Sequence, residues 1–543
     1  MEHRRPPAEL PVRHRGGLGD QGRQARPDAQ EPDLYRHHLR VLALLRCGRR
    51  RAQLPDVRHP QLRQGGARSD RPRGPRHLRS SVPGCPGGDR QVVIERAAGA
   101  DLRLAERLLD LAAEAGASEA EALVLGTDSQ LTRFANSEIH QNVAERNTTV
   151  NLRFVDGRRV GVSSTNRLDD AALRRLARSA AAIARLQPER DDFAGLPTPT
   201  GPISLVAGAA SGTTAEATPE QRAGGVREVI GRIDAAGMLA YGSFSTSLEY
   251  VAVANSHGVR AQEERTFAQL ITVAMGADGE AGYAEACAVD VSAIDPGAIG
   301  AEAAGKAVAG HGPVALPPGD YPVVLEPYAV VDLLDMLGYV GFSALAVQEG
   351  RSFFEPGRVV GSSLVSIVDD GADPAGAPAS FDYEGVAKQR VALIEGGVCR
   401  DVVYDAETAA RAGRLSTGHG LPAPNPWGPF PLNMLMDAGS ASPDELVGGL
   451  ERGLLVTRFH YTNPVHPKLA IVTGMTRDGL FLVEGGRIIS PVRNLRFTQS
   501  YLTALAGVEA VGAERRLLRS GLGVVVVPAL RIGAFTFTGA TEL

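Results

Sequence analysis

Tyr321-Pro322-Val323-Val324-Leu325-Glu326-Pro327 runs without a break into Tyr328-Ala329-Val330-Val331-Asp332-Leu333-Leu334-Asp335-Met336-Leu337-Gly338-Tyr339-Val340. The first stretch is a short apolar run, which predicts a strand over 321–325. Pro327 suits the first turn of a helix, where its missing N–H goes unused, so a helix is predicted from there to about Leu337. Upstream, 295–309 reads as an Ala-rich helix and 219–236 as another. Tyr250–Ala254 and Gln269–Ala274 read as strands, with Asn255-Ser256-His257-Gly258 as a tight turn between them. Downstream of Phe353 the pattern is mostly strands and turns, with a helix at Ser500–Leu505.

Further toward the N-terminus, Leu104, Leu108, Leu109, Leu111 and Ala112 mark one face of a helix over 102–115, ended by Gly116. Short strand-like runs follow at 122–125, 131–134, 139–143, 149–154 and 160–163. In one of them Val150, Leu152 and Phe154 alternate with Asn151 and Arg153, the period of a half-buried strand. Asp156-Gly157 reads as a hairpin turn, and Leu168-Asp169-Asp170 as the cap of a helix running to about Leu186. Pro197–Thr218, rich in Pro, Gly, Ser and Thr, reads as a boundary. The fold class expected is α+β: a multi-domain chain with mixed or antiparallel sheets, flanking helices and a strand-rich C-terminal domain, not a Rossmann alternation. The expected domains are 92–196, 219–310 and 312–543.

Bulk properties narrow the function. A chain of 543 residues with 43% hydrophobic and 22% charged residues can build a large core. Residues 1–90 hold 20 Arg, no Lys and 9 acids, a net of +11, which leaves −15 for the remainder of a chain whose formal charge is −4. An acidic body argues against nucleic-acid binding. Residues 1–91 show no sustained apolar period and read as a disordered tail or as sequence upstream of the true start. The four cysteines, Cys47, Cys85, Cys287 and Cys399, form no CxxC pair, so a reducing, cytoplasmic setting is expected. The longest early apolar run, 41–45, is too short for a membrane span. Arg outnumbers Lys 55 to 3, which reads as a mark of genome composition.

Several segments together resemble the TldD/PmbA family over nearly all of residues 100–540. Thr132–Gln141 resembles its first hairpin and Arg158–Thr165 its next strand. Val253–Gly258 is similar to its central-domain turn, and Val323–Pro327 to the strand entering its key helix. Asp369-Asp370-Gly371, Phe381-Asp382-Tyr383-Glu384-Gly385 and Thr417-Gly418-His419-Gly420 follow in family order. In the TldD branch the helix after that strand carries HExxxH: its two His bind zinc, and the Glu serves as base for a metal-bound water. Here the matching stretch, 330–340, contains no His, and Asp335, Met336 and Tyr339 stand at the motif's position. No His-Glu dipeptide occurs anywhere in the chain. The branch's third ligand, a Cys near the C-terminus, is missing as well: the last Cys is Cys399, and Val472–Gly479 occupies that neighbourhood.

The resemblance is therefore to the PmbA (TldE) side. It implies a subunit that shapes the cavity of a peptide-processing enzyme acting on unfolded or small peptides. Zinc is then expected in a TldD-type, HExxxH-bearing partner and not in this chain. A peptide-binding scaffold and a self-sufficient hydrolase are the alternatives, although no GxSxG motif is present. Among single residues, His419 between two glycines is a candidate for the cavity wall. Asp332 and Asp335 share a helix face, where a carboxylate dyad is one reading and ordinary polar positions, with no His nearby, the simpler one. His460 and His466 flank an expected exposed turn at Asn463-Pro464. Trp427 reads as an anchor for a loop or a subunit interface.

Overall fold

The computed structural model describes residues 99–541, and everything below concerns these. The expectation for residues 1–91 lies outside them. Among the described residues no helix is long and apolar enough to cross a membrane.

The strand-like runs of the first half turn out to be halves of long strands. β1 (Glu119–Ala135) and β2 (Glu138–Asp156) form one hairpin, and β3 (Arg159–Thr165) adds to it through the expected turn at Asp156-Gly157. β4 (Leu239–Asn255), β5 (Arg260–Met275) and β6 (Ala281–Ala288) form a second meander. β1 pairs with β4 from Glu121↔Asn255 to Phe134↔Gly242, so the two meanders share one antiparallel sheet, ordered β3-β2-β1-β4-β5-β6. The sequence breaks these strands because their middles are polar and half-exposed, which hides the period-2 signal.

Two helices, α1 (Ala100–Glu114) and α2 (Asp170–Leu186), bury Leu108, Leu111, Leu173 and Leu176 against one half of the sheet. Asp169 caps α2 through Ala172 N–H at 3.0 Å. α3 (Pro219–Asp234) and α4 (Pro296–Ala309) cover the other half of the same face with Val226, Val229 and Ile299. Thr218 and Gln221 close a capping box at the start of α3.

The C-terminal half is a mixed sheet. β7 (Gly319–Leu325) pairs with β12 (Arg452–His466) and with β17 (Val524–Ala540). β13 (Ile471–Glu484) and β15 (Leu495–Ser500) link β12 back to β17, so five strands close on themselves. β8 (Ile367–Asp369), β9 (Val391–Glu395), β10 (Val398–Cys399) and β11 (Asn433–Met436) extend this sheet on one side, and β14 (Arg487–Pro491) and β16 (Val508–Arg519) pair at its margins. Phe459 stacks on Phe497 and Phe535, with centroids 4.6 and 5.4 Å apart, inside this core. The helix expected after β7 is α5 (Pro327–Val340). Leu333, Leu334 and Leu337 on it are fully buried, as a helix apolar nearly all round must be. The expected turn at Asn463-Pro464 is instead strand. β12 continues through it with two register shifts, which accommodate the proline's missing donor.

Candidate functional site

α5 begins where the two sheets meet. Its Tyr328, Val331, Asp332 and Asp335, spaced to share one face, form a wall of a cavity of about 180 Å³. Tyr283 and Glu285 of β6, Arg458 and Phe459 of β12, and the end of β16 with the start of the turn after it, 518–521, complete it. Each layer thus supplies part of the lining, and neither would enclose the space alone.

The carboxylates here are held by neutral donors. Asp332 accepts from Tyr501 Oη at 2.6 Å and from the Thr462 hydroxyl. Burial pushes its carboxyl up to about 6; the Thr462 and Tyr501 hydrogen bonds pull it down, and the Asp335 charge pushes it up. Asp335, 6% exposed, accepts from Leu522 N–H at 2.9 Å. Glu285 accepts from Tyr283 Oη at 2.6 Å, from Gln269 Nε2 at 2.7 Å and from Cys287 Sγ at 3.3 Å. Burial, with Glu285 beside it, pushes the Cys287 thiol up, so this is no thiolate nucleophile. The Arg458 guanidinium lies 4.2 Å from the Tyr283 ring centroid and is engaged by Asp478, its Nε at 2.7 Å. Tyr328 packs edge-on to Tyr283 at 5.2 Å, and its hydroxyl donates a hydrogen bond to Glu302 at 3.0 Å.

Of the motif positions, Asp335 alone faces the cavity. Met336 is core, 4% exposed, and Tyr339 packs against Phe430 and Trp427 at 6.0 and 6.5 Å. Trp427 therefore anchors a loop onto α5. Asp332 and Asp335 both line the cavity, and both accept hydrogen bonds from other elements. His419 needs correcting. It was expected in a cavity wall, but its ring is 1% exposed and bonded on both sides, Nε2 to Asp369 at 2.8 Å and Nδ1 to Thr417 Oγ1 at 2.9 Å. Burial, aided by the Lys388 charge, lowers its pKa. A neutral ring with its proton on Nε2 satisfies both contacts. The flanking glycines admit the chain's own backbone, not a ligand: a Cβ on Gly418 would lie 2.4 Å from the Ala387 carbonyl oxygen.

His419 belongs instead to a sealed ionic cluster between the first sheet and the C-terminal loops. Arg153 of β2 bridges Glu121 of β1 at 3.0 Å and Glu384 at 3.2 Å. Asp382 accepts from Gly420 N–H at 2.7 Å and from Val386 N–H at 2.9 Å. Burial pushes Glu121 up to about 7 and Asp382 up to about 8, with Glu384 adding to both. Lys388 Nζ, 4.0 Å from Asp369, has no hydrogen-bond partner among the described residues.

These residues do not suit a structural or catalytic zinc. The cavity lining contains no His and no Cys, and its helix carboxylates already serve hydroxyl and N–H donors. The one three-ligand group among the described residues is Asp278, Glu280 and His311, two exposed residues and a half-buried one, formed by the β5–β6 turn and the segment after α4.

The sequence reading missed Tyr283, Glu285, Arg458, Thr462 and Tyr501. A signal existed for the first two, since Tyr283, Glu285 and Cys287 alternate along one strand face. Another lay in the lysines. In a chain that uses Arg almost everywhere, Lys306 and Lys388 sit in buried or half-buried ionic networks.

Three family models match the chain. The PmbA/TldA metallopeptidase domain 1 covers residues 120–184, the central domain 214–310 and the C-terminal domain 318–539. The metalloprotease TldD homologue of Buchnera aphidicola is 27% identical over 216 residues, 38% of this chain and 43% of that protein. The Haemophilus influenzae homologue of the same description is 28% identical over 246 residues, 42% of this chain and 50% of that one. The matched stretches thus span half or less of these relatives' length. Among solved structures, TldE from Thermococcus kodakarensis superposes with a TM-score of 0.72 at 19% identity, covering 80% of this chain and all of that one, a likeness of fold.

Proposed function

The chain belongs to the PmbA/TldD metallopeptidase family, and on that premise we propose that it is the non-catalytic subunit of a two-component peptide-processing enzyme. It lends a carboxylate-lined wall to the peptide cavity, while a TldD-type partner carries HExxxH and zinc. One observation carries this reading: the helix that would present the metal ligands presents Asp332 and Asp335 instead, and both hold neighbouring elements. A zinc hydrolase needs three ligands, an open coordination position and a base, whereas this wall offers hydrogen-bonding carboxylates to a polar or cationic part of an unfolded peptide. The expected setting is the cytoplasm.

The test is co-expression with an HExxxH-bearing family member from the same cell. The purified pair is expected to hydrolyse small or unfolded peptides and to contain zinc, while this chain alone does neither. One tightly bound zinc per isolated chain, or failure to co-purify with any such partner, contradicts the proposal. A self-sufficient hydrolase is the second reading, favoured by the Asp332 carboxyl, which burial beside the cavity pushes up to about 6. Peptide cleavage by the isolated chain that is lost in Asp332→Asn supports that reading instead.

A further inference from the structure

A second cavity, of about 200 Å³, shares Tyr328 with the first. Its floor is apolar. Val324 of β7 lies between Val323 and Leu325, which face the core, so its own side chain stands on the opposite face of the sheet. There it packs with Leu446 of the short helix Pro443–Gly448, and Leu455 of β12 and Ala529 of β17 pack against them.

The polar part of the lining is ionic, and its charges alternate. Glu326, Lys306, Glu302 and Arg516 form a series: Lys306 Nζ is 2.6 Å from Glu326 and 2.8 Å from Glu302, and Arg516 Nη1 is 3.0 Å from Glu302. Glu326, Glu302 and Arg516 line the space, with the exposed Glu514 beside them. Both ends of the series are incomplete. Glu326 stands at the N-cap of α5 without capping it, and gives Oε2 to Lys306. Its Oε1 accepts no hydrogen bond among the described residues. Burial pushes this carboxyl up, and Lys306 pulls it down. Arg516 uses Nη1 alone, on Glu302 and on the Tyr328 hydroxyl at 2.5 Å. Its Nε and Nη2 have no acceptor among the described residues. Glu326 and Arg516 are near enough for each to feel the other's charge.

We propose that this cavity binds a free aliphatic α-amino acid of the size of leucine. The ammonium group faces Glu326, the carboxylate faces Arg516, and the side chain lies on the floor of Val324, Leu446, Leu455 and Ala529. Sign and size both select this ligand. The series of two carboxylates and two cations sums to zero, so a lone cation or a lone anion suits one end of it and is opposed by the other. An α-amino acid carries both charges, one carbon apart, and completes the alternation. A peptide amino terminus has an amide where the second charge is needed. An apolar cavity of about 150 Å³ holds a six-carbon ring, so the 200 Å³ here admits a four-carbon side chain with its polar head.

This inference does not rest on the proposed function. Calorimetric titration of the full chain with L-leucine should give a Kd of about 0.1–1 mM. Leucinamide, which lacks the carboxylate, and isocaproate, which lacks the amine, should each bind at least about tenfold more weakly. Arg516→Gln should erase the preference for leucine over leucinamide and keep that over isocaproate. Glu326→Gln should do the converse. Ala529→Met, which fills the floor, should abolish binding while the circular dichroism spectrum stays unchanged. No binding of leucine up to about 10 mM overturns the inference. Leucinamide binding as tightly as leucine assigns the cavity to peptide amino termini and overturns it too. So does leucine binding that survives Ala529→Met. If Arg516→Gln and Glu326→Gln lower all three affinities alike, the ionic series is structural and the inference fails.

Discussion

The wall of the cavity and the cluster around Arg153 are both built of buried carboxylates, yet they solve the burial of charge in opposite ways. At the cavity, Asp332, Asp335 and Glu285 are met by hydroxyls, an amide and an N–H. Such donors stabilise a carboxylate without neutralising it, and lone pairs remain for a visitor. In the cluster, Glu121 and Glu384 face Arg153, and Asp369 faces Lys388 and His419. There the Arg153 and Lys388 cations offset Glu121, Glu384 and Asp369, while Asp382 rests on backbone N–H groups, and the product is a joint between the first sheet and the C-terminal loops. Which kind of donor faces an acid thus separates a place that can bind from a place that only holds.

The comparison breaks most readily at Arg153. Replacing it with Met strands Glu121 and Glu384 in a sealed site. The expected loss is about 3–5 kcal/mol of stability, read by denaturant unfolding, because an uncompensated buried charge costs more than its pair returns. A loss under about 1 kcal/mol would place the cluster with surface ion pairs.

pH probes the same joint. The folded-state values of Glu121 and Asp382, about 7 and 8, lie above those of free carboxyls. The folded protein therefore holds protons that the unfolded chain releases, and their contribution is full below about pH 4 and lost as pH rises through 7–8. Between pH 6 and 9 stability should fall by on the order of 4 kcal/mol, and Glu121→Gln together with Asp382→Asn should flatten the dependence. Stability that rises over this interval would reverse the assignment.

Asp335→Ala tests the cavity side. Reading α5 as a helix with nothing to coordinate predicts no effect, but the structure gives Asp335 the N–H of Leu522 and packs it under Gly521, where a Cβ would stand 2.6 Å from its Oδ2. The expected cost is about 1–2 kcal/mol, with faster hydrogen exchange confined to 520–523. Smallest of the four, Tyr501→Phe removes one donor from Asp332. It should cost about 1 kcal/mol and raise the carboxyl above its value of about 6, a shift that carbon-detected NMR titration of Asp332 would follow.

Much of this molecule is local in origin. The strand at 321–325, the proline-started helix after it, the Asp169 cap and the turn at 255–258 depend on neighbours within a few residues, and the sequence alone determined them. The absence of His-Glu along the whole chain, and with it the absence of the family's zinc motif, is likewise a fact of sequence. What only the tertiary structure decided is which polar residues meet. Asp332 finds Tyr501 across 169 positions, Asp335 finds Leu522 across 187 and His419 finds Asp369 across 50. The period of a helix or strand shows which face a carboxylate occupies. It does not show what approaches that face, because side-chain reach and burial are set by elements far away in the chain. For that reason His419 could be read as facing a cavity and Asp335 as idle, when one is sealed in a joint and the other holds the turn that closes the cavity.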